Sequence, residues 1–116
     1  MKQLSILNLI QWKKELKCER FLKEMNEILP WDLFIDAIWK FYKINNYGRK
    51  KKELKLMLKI YLLQQWYSLS DPWVEEAIYD RNSFQKFLEL DLLNETVPDE
   101  TTILNFRHLL EKYELP

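Results

Sequence analysis

Residues 53–73, ELKLMLKIYLLQQWYSLSDPW, constrain the fold more than any other stretch of the chain. Its apolar residues recur at the spacing of a helix face and also cover most of the remaining helix surface. A helix that is apolar on nearly every side must be buried, so we expect a central helix at about 53–68. Ser70 or Asp71 then offers a cap oxygen, and Pro72 suits a first helical position. A sharp turn into a second helix should follow.

The composition predicts an all-α protein. The chain has 116 residues, is 47% hydrophobic and 15% aromatic, and contains a single glycine, Gly48. Tight β-hairpins need glycine or asparagine where φ is positive, so a strand-rich fold is disfavoured. This length allows one substantial core. We therefore predict a compact single domain, a bundle of about five to six helices around the central one, with helix-turn-helix-like elements.

The remaining apolar patterns place the other helices. They are predicted at about 18–29, 31–43, 72–80 and 83–90, followed by a loop at 91–98 and a last helix capped by Asp99. Residues 1–17 form a mildly amphipathic lead, which is helical if it docks and frayed if it does not. In the helix from Pro72, Trp73, Ala77 and Ile78 should point inward. In the last helix, Ile103, Phe106, Leu109, Leu110 and Tyr113 share one side, and Thr101, Asn105, His108 and Lys112 form a polar strip opposite.

Charge is divided unevenly along the chain although the formal net charge is zero. Residues 1–60 hold 14 Lys and Arg against 7 Asp and Glu, whereas residues 61–116 hold 4 against 11. Such a split is typical of a basic surface for polyanions beside an acidic one, or of two halves that attract each other when folded. The run Arg49, Lys50, Lys51 and Lys52 is either a phosphate clamp or a solvated cluster.

Several kinds of chemistry lack the residues they need. One cysteine, Cys18, and one histidine, His108, do not make a structural zinc site, and Gly48 alone does not make a phosphate-binding glycine loop. No Gly-x-Ser-x-Gly turn is present for His108 to serve as a base. The acids near 71–80 are explained as helix-start residues, without a metal. We expect no catalysis by this chain alone.

The N-terminal sequence and the cysteine count bear on location. Asn8 interrupts the first apolar run and no small-residue cleavage site follows it, which argues against a signal peptide. Lys55 and Lys59 interrupt the central helix, so no apolar run reaches membrane length. A single cysteine suits a reducing compartment. We expect a cytoplasmic protein with no membrane partner and no small-molecule substrate.

Two long phrases carry a family resemblance. The run LLQQWYSLSDPWVEEAIYDRNSFQKFLELDL and the later VPDETTILNFRHLLEKYEL, together with ERFLKEMNEIL, PWDLF and the Gly48-Arg49 pair, resemble the N-terminal region of bacterial insertion-sequence-five-type (InsH-like) transposases. The resemblance covers about residues 18–115. It implies a variable lead at 1–17 and a helical transposase N-terminal domain at 18–116. The lysines after Arg49 depart from the family, where a proline-containing stretch is common.

The resemblance also implies what this chain lacks. Full-length relatives join such a module to a ribonuclease-H-like domain whose three acidic residues hold magnesium for DNA strand cleavage and joining. That domain is absent from the 116 residues, and Asp99 and Glu100 are not its catalytic acids. We therefore expect no cofactor and no metal in this chain, and magnesium only in the missing catalytic domain. The stop at Pro116 suggests a frameshifted or truncated reading frame, or an isolated first domain.

The leading hypothesis is a DNA-binding module that recognises the terminal inverted repeats of a transposon. Two helices compete as the reading element: the short helix from Ser83, with Arg81, Gln85 and Lys86 outward, and the last helix with its polar strip, which we favour. The candidate DNA contacts are Arg49, Lys50, Lys51, Lys52, Arg81, Gln85, Lys86, Thr101, Asn105, Arg107, His108 and Lys112.

Other readings remain open. The last helix is also consistent with an ordinary amphipathic helix that has a solvated face. A different class of function is an interaction module that forms a homodimer or docks on a transposase catalytic domain, with Leu104 as a contact. The zero net charge and the acidic second half favour that alternative. A relic without present function is the third reading.

Overall fold

The computed structural model describes the backbone of residues 2–45 and 51–113, with side chains from 6–42 and 51–113. Within these ranges the chain forms six helices and no strand, which confirms the all-α prediction. The predictions for Arg49 and Lys50 lie outside the described residues. The helices are α1 (Lys2–Ile28), α2 (Trp31–Asn45), α3 (Lys51–Tyr67), α4 (Asp71–Asp80), α5 (Asn82–Leu88) and α6 (Glu100–Lys112).

Helix α3 lies at the centre, as the sequence predicted. It packs against α2, α4, α5 and α6, and Leu54, Ile60 and Leu63 are completely buried. Two polar side chains, Lys59 and Gln64, are buried along with the apolar ones. The helix therefore organises the core and also carries polar groups that must find partners inside it.

Polar contacts fix the corner between α3 and α4. The side-chain amide of Gln64 donates to the Leu69 carbonyl (3.2 Å) and to Asp71 Oδ1 (2.8 Å). Ser70 is the N-cap of α4, and its hydroxyl accepts from the Trp73 amide (3.4 Å). Of the two residues predicted as possible caps, Ser70 therefore caps α4, while Asp71 accepts from the preceding helix.

Helix α1 begins before the predicted position near Cys18, in agreement with the alternative that residues 1–17 are helical. It runs without interruption from Lys2 to Ile28, across the boundary expected after residue 17. No proline or glycine precedes Pro30 in the sequence, so nothing breaks the helix earlier. Its C-terminal half packs along α5, and the Phe21 ring meets the Trp66 ring edge-on at 5.2 Å between centroids.

The inward face of α4 also differs from the prediction. Val74 and Ile78 are completely buried, whereas the Trp73 side chain is 67% exposed and Ala77 is only partly buried. The Ser70 cap sets the start of α4, and this start turns Val74 rather than Trp73 toward the core. In α6 the predicted inward residues Ile103, Phe106, Leu109 and Leu110 are buried as expected. Among the described residues, none of the helices has the length and apolar content that crossing a membrane requires.

Candidate functional site

The polar strip of α6 projects from the molecule as the sequence predicted. Thr101, Asn105, His108 and Lys112 are all exposed. The start of this helix is fixed twice: Asp99 Oδ1 accepts from the Thr102 amide (2.8 Å), and Glu75 Oε1 of α4 accepts from the Glu100 amide (2.8 Å). The backbone hydrogen bond from Thr102 lowers the pKa of Asp99, so this cap stays ionised. The strip is therefore held in a defined orientation.

A groove of about 660 Å³ runs beside this strip. Asn105, His108 and Lys112 line one wall, and α3 and the loop before α6 provide the rest. Those other wall residues include Glu53, Leu56, Met57, Thr96 and Pro98. The strip thus faces an open cleft that has hydrogen-bonding groups and one cation on the α6 side, which can admit an extended polar ligand.

Cations and aromatic rings gather at the end of the molecule where α2, α3 and α6 meet. The Phe41 and Tyr113 rings stack with centroids 4.3 Å apart. Lys112 Nζ lies 5.2 Å from the Tyr113 ring centroid, and Lys51 Nζ lies 5.7 Å from that of Trp39. Lys51 also pairs with Asp36 at 3.4 Å, a solvent-exposed contact of small energetic value. Lys52 is exposed beside it.

The three candidates near α5 each make a polar contact with another part of the chain. Arg81 Nη2 pairs with Glu15 Oε2 (3.0 Å), and Lys86 Nζ pairs with Glu19 Oε1 (2.6 Å). The Gln85 amide donates to the Ile78 carbonyl at 2.9 Å. Arg81 and Gln85 are partly buried rather than outward as predicted, because Arg81 bonds Glu15 of α1 and Gln85 bonds α4. Lys86 pairs with Glu19 but stays exposed, as predicted.

Glu15 of α1 completes the N-terminus of α5. The N-cap residue Arg81 makes no side-chain cap bond, and Glu15 Oε1 accepts the Ser83 amide instead (3.0 Å). Burial acts to raise the pKa of Glu15, but hydrogen bonds from Ser83 and Arg81 outweigh it and lower that pKa. An ionised carboxylate at a helix N-terminus is also favoured by the helix dipole. This contact ties Arg81 to the fold.

Arg107, the flanking candidate on α6, is likewise paired. Its Nη2 lies 2.8 Å from Asp71 Oδ2 of α4, and its Nη1 lies 3.3 Å from Glu111. Its hydrogen bond to Asp71 raises the pKa of the Arg107 guanidinium, and the same bond lowers the pKa of Asp71. Arg107 therefore joins α6 to α4.

The ion pairs show how the two oppositely charged halves meet. In the described ranges, the pairs between halves join the few second-half cations, Arg81 and Lys86, to first-half acids. No described lysine or arginine of residues 1–60 pairs with an acid of residues 61–116. The two halves are therefore joined by ion pairs between α5 and α1, while most first-half cations that the structure describes stay exposed.

A basic strip on α1 was missed in the sequence. Lys13, Lys17 and Arg20 are exposed and follow one another at four- and three-residue spacing, so they share a face of the helix. Lys14 is exposed beside them. The signal was present as a helical repeat of cations, but it fell across the position where a helix start was expected.

Side chains of residues 6–42 and 51–113 include no group of three or more His, Cys, Asp or Glu that is placed to hold a metal ion. No solved structure matches the chain. Residues 10–109 match the family model described as Transposase domain (DUF772), which includes all six helices in whole or in part.

Proposed function

This chain belongs to the transposase domain family DUF772, and from that membership we propose that it is a DNA-binding module that recognises transposon ends. The observation that carries the proposal is the polar strip of α6, which is exposed, is held by two caps and, within the part of the chain that the structure describes, makes no ion pair. The closer relationship that we propose is to the InsH-like, insertion-sequence-five type.

The residue types on α6 suit both kinds of DNA contact. Asn105 can bond an adenine edge in two places, and Lys112 can contact a phosphate. Lys51 and Lys52 sit at the start of α3, whose first turns line the groove beside the strip. We propose that they neutralise backbone phosphates while α6 lies against the bases. Sequence-specific binding combines phosphate contacts, which position the protein, with base contacts, which read the sequence. In this arrangement the lysines would contact phosphates, and the Asn105 amide and His108 imidazole would contact bases.

The proposal gives this chain recognition and no strand chemistry. We propose that cleavage and joining, and the magnesium they require, are supplied by an acidic-triad domain outside these residues. The cellular setting that we propose is the cytoplasm, where the buried free thiol of Cys18 would stay reduced. Leu104, suggested above as a protein contact, is partly buried, so the outer surface of α6 is predominantly polar.

A gel-shift titration tests the DNA-binding proposal. The chain is titrated against a duplex that carries the element's terminal inverted repeat and against a scrambled duplex of equal length. Replacing Asn105 and His108 by Ala should weaken repeat binding by about 1–3 kcal/mol and reduce discrimination between the duplexes. Replacing Lys112 by Ala should weaken binding to both and reduce the slope of log K against log salt by about 1.

The matched control changes the same residue types away from the strip. Lys23 on α1 and Gln65 on α3 are exposed. A Lys23→Ala/Gln65→Ala variant removes one charge and one amide, and should bind like the unmodified chain. Equal losses in the strip and control variants would show that only total charge matters. No shift at low salt with either duplex would contradict DNA binding outright.

An interaction module of the transposase is the second candidate, and one observation favours it. Ile6, Leu7, Leu9, Ile10 and Trp12 of α1 are 46–60% exposed. Binding of a partner protein through these side chains is compatible with DNA binding, because they lie on α1 while the polar strip lies on α6. If the chain binds no DNA but associates with a catalytic domain, the interaction reading replaces the first proposal.

A further inference from the structure

The N-terminal half of α1 leaves an unusual concentration of apolar surface uncovered. Five of the twelve large hydrophobic side chains that are exposed in the described ranges fall within residues 6–12, and no charged residue occurs there. We refer to residues 6–12 as the apolar segment. Helix α1 has 27 residues and is about 40 Å long, whereas the molecule measures 56 × 28 × 28 Å. Its N-terminal half therefore extends past α5 into solvent.

The arrangement of these side chains limits what can cover them. At 100° per residue, they span an arc of about 220° from Trp12 through Leu9, Ile6 and Ile10 to Leu7. Helices that adsorb on a lipid surface carry lysine and arginine on the polar face opposite the apolar one. Here the opposite face holds Asn8 and Gln11, and Lys13 and Lys17 continue the line of Ile6 and Ile10. A protein helix fits this pattern better than a membrane.

The exposed area is enough for a weak dimer. Five large side chains that are each about half exposed present on the order of 500 Å² of apolar surface in each copy. Two copies would then remove at most about 1,000 Å² from water, an upper value that lies at the lower end of specific interfaces. A patch that pairs with itself about a two-fold axis closes the assembly at two copies. The apolar segment of a second copy is therefore equal in area to this surface and equally apolar, so it can cover it.

We propose that the apolar segment is a dimerisation helix that packs antiparallel against the same segment of a second copy. Antiparallel overlap centred between Leu9 and Ile10 brings each Ile6 beside the aliphatic stem of the other copy's Lys13. It also keeps the two Lys13 positions about 10 Å apart along the helix axis. A parallel pair would set the same lysines side by side, which is unfavourable. The inference goes beyond DNA binding and does not depend on it.

Sedimentation and light scattering over a concentration series test the dimer. The mass should rise from 14.4 kDa toward twice that value as concentration increases. An Ile6→Asp/Ile10→Asp variant should raise the dimer dissociation constant at least about tenfold. The control variant is Leu33→Asp/Leu93→Asp, which changes two side chains that are 67% and 94% exposed elsewhere and should leave the dimer intact. Circular dichroism confirms that both variants stay folded.

Disulfide trapping tests the direction of the pair. In a Cys18→Ala background, Leu9→Cys should form a disulfide-linked dimer on mild oxidation because residue 9 lies at the two-fold axis. Lys17→Cys should not, since its two copies would lie about 22 Å apart along the axis. Cross-linking of both variants would overturn the antiparallel arrangement. A monomer at every concentration, or a chain that binds phosphatidylcholine–phosphatidylglycerol vesicles through Ile6 and Ile10 without dimerising, would overturn the proposal.

Discussion

Lys59 shows what a single buried charge does to this core. Its side chain is 2% exposed, and its ammonium donates to the Phe87 carbonyl at 2.8 Å while lying 5.3 Å from the Trp31 ring centroid. Burial lowers the pKa of Lys59 to about 8; the nearby Glu89 carboxylate opposes that shift, and Lys55 adds to it. The charged form therefore costs stability at neutral pH, even though it is hydrogen bonded.

Replacing Lys59 by Met should stabilise the protein at pH 7 by about 1 kcal/mol, because an apolar side chain of similar length removes the burial penalty. The Phe87 carbonyl keeps its bond from Asn26 in the variant. Since the folded-state pKa lies below the unfolded value, the unfolded state binds more protons between about pH 8 and 10.5. Stability of the unmodified chain should rise across that interval relative to Lys59→Met. Urea unfolding at pH 7, 9 and 10.5 checks this, and a constant difference between the two proteins would contradict it.

Ser68 ends α3 in a left-handed conformation, with φ of 53°. The Leu69 amide bonds back to the Gln64 carbonyl at 3.0 Å, so a helix-ending turn forms there without glycine. Ser68→Gly should raise the free energy of unfolding by about 0.5–1 kcal/mol, since glycine has no Cβ to strain that conformation. Ser5→Gly, in α1, should instead lower it. Thermal unfolding separates the two, and a destabilised Ser68→Gly would refute the argument.

At the scale of elements, helices of this fold complete one another's ends. Glu15 of α1 accepts at the start of α5, and Glu75 of α4 accepts at the start of α6. Helix α5 has seven residues, fewer than an isolated helix needs to be stable in water. Its stability therefore depends on α1. Cys18 of α1 adds a further contact, with its sulfur 3.4 Å from the Ser83 hydroxyl of α5.

Removing the Glu15 carboxylate should weaken α5 specifically. Glu15→Ala is expected to cost about 1–2 kcal/mol, because it removes both a helix cap and the partner of Arg81. Since the folded-state pKa of Glu15 is lowered, its contribution is present above the unfolded value near 4.5 and is lost as pH falls below it. The difference in the free energy of unfolding between the unmodified chain and Glu15→Ala should thus become smaller in acid. The exposed Glu24→Ala is the control, and an equal loss in both variants at pH 7 would contradict the capping role.

For the molecule as a whole, sequence periodicity predicted the features that depend on local residues. The buried α3, the Asp99 cap and both faces of α6 follow from spacing along one helix, and the structure has each of them. The same reasoning missed the engagement of Arg81 and Lys86, whose partners lie 66 and 67 residues away in sequence. Which surface α1 would cover depends on tertiary packing, and no local pattern contains that information.

In the molecule as a whole, exposed basic residues of the first half and exposed acidic residues of the second half do not pair with each other in the described ranges. Because the ion pairs between halves use the second half's few cations, Lys13, Lys17, Lys51 and Lys52 of the first half and Glu76 and Asp80 of the second half remain exposed. A polyanion should therefore approach from the basic side at a rate that falls as salt increases. The acidic outer face of α4, with Glu76 and Asp80, would turn away from it.

The distance in sequence between α1 and α5 has a consequence for synthesis on the ribosome. Asn26 emerges well before its partner Phe87, 61 residues later, and translation at 5–20 residues per second separates them by roughly 3–12 s. During that interval the apolar face of α1 that carries Cys18 and Leu22 has only part of its docking site, because Tyr67 of α3 contacts Cys18 but Phe87 has not yet been made. The nascent chain then offers a hydrophobic helix to chaperones, and α1 settles only after most of the protein has been made.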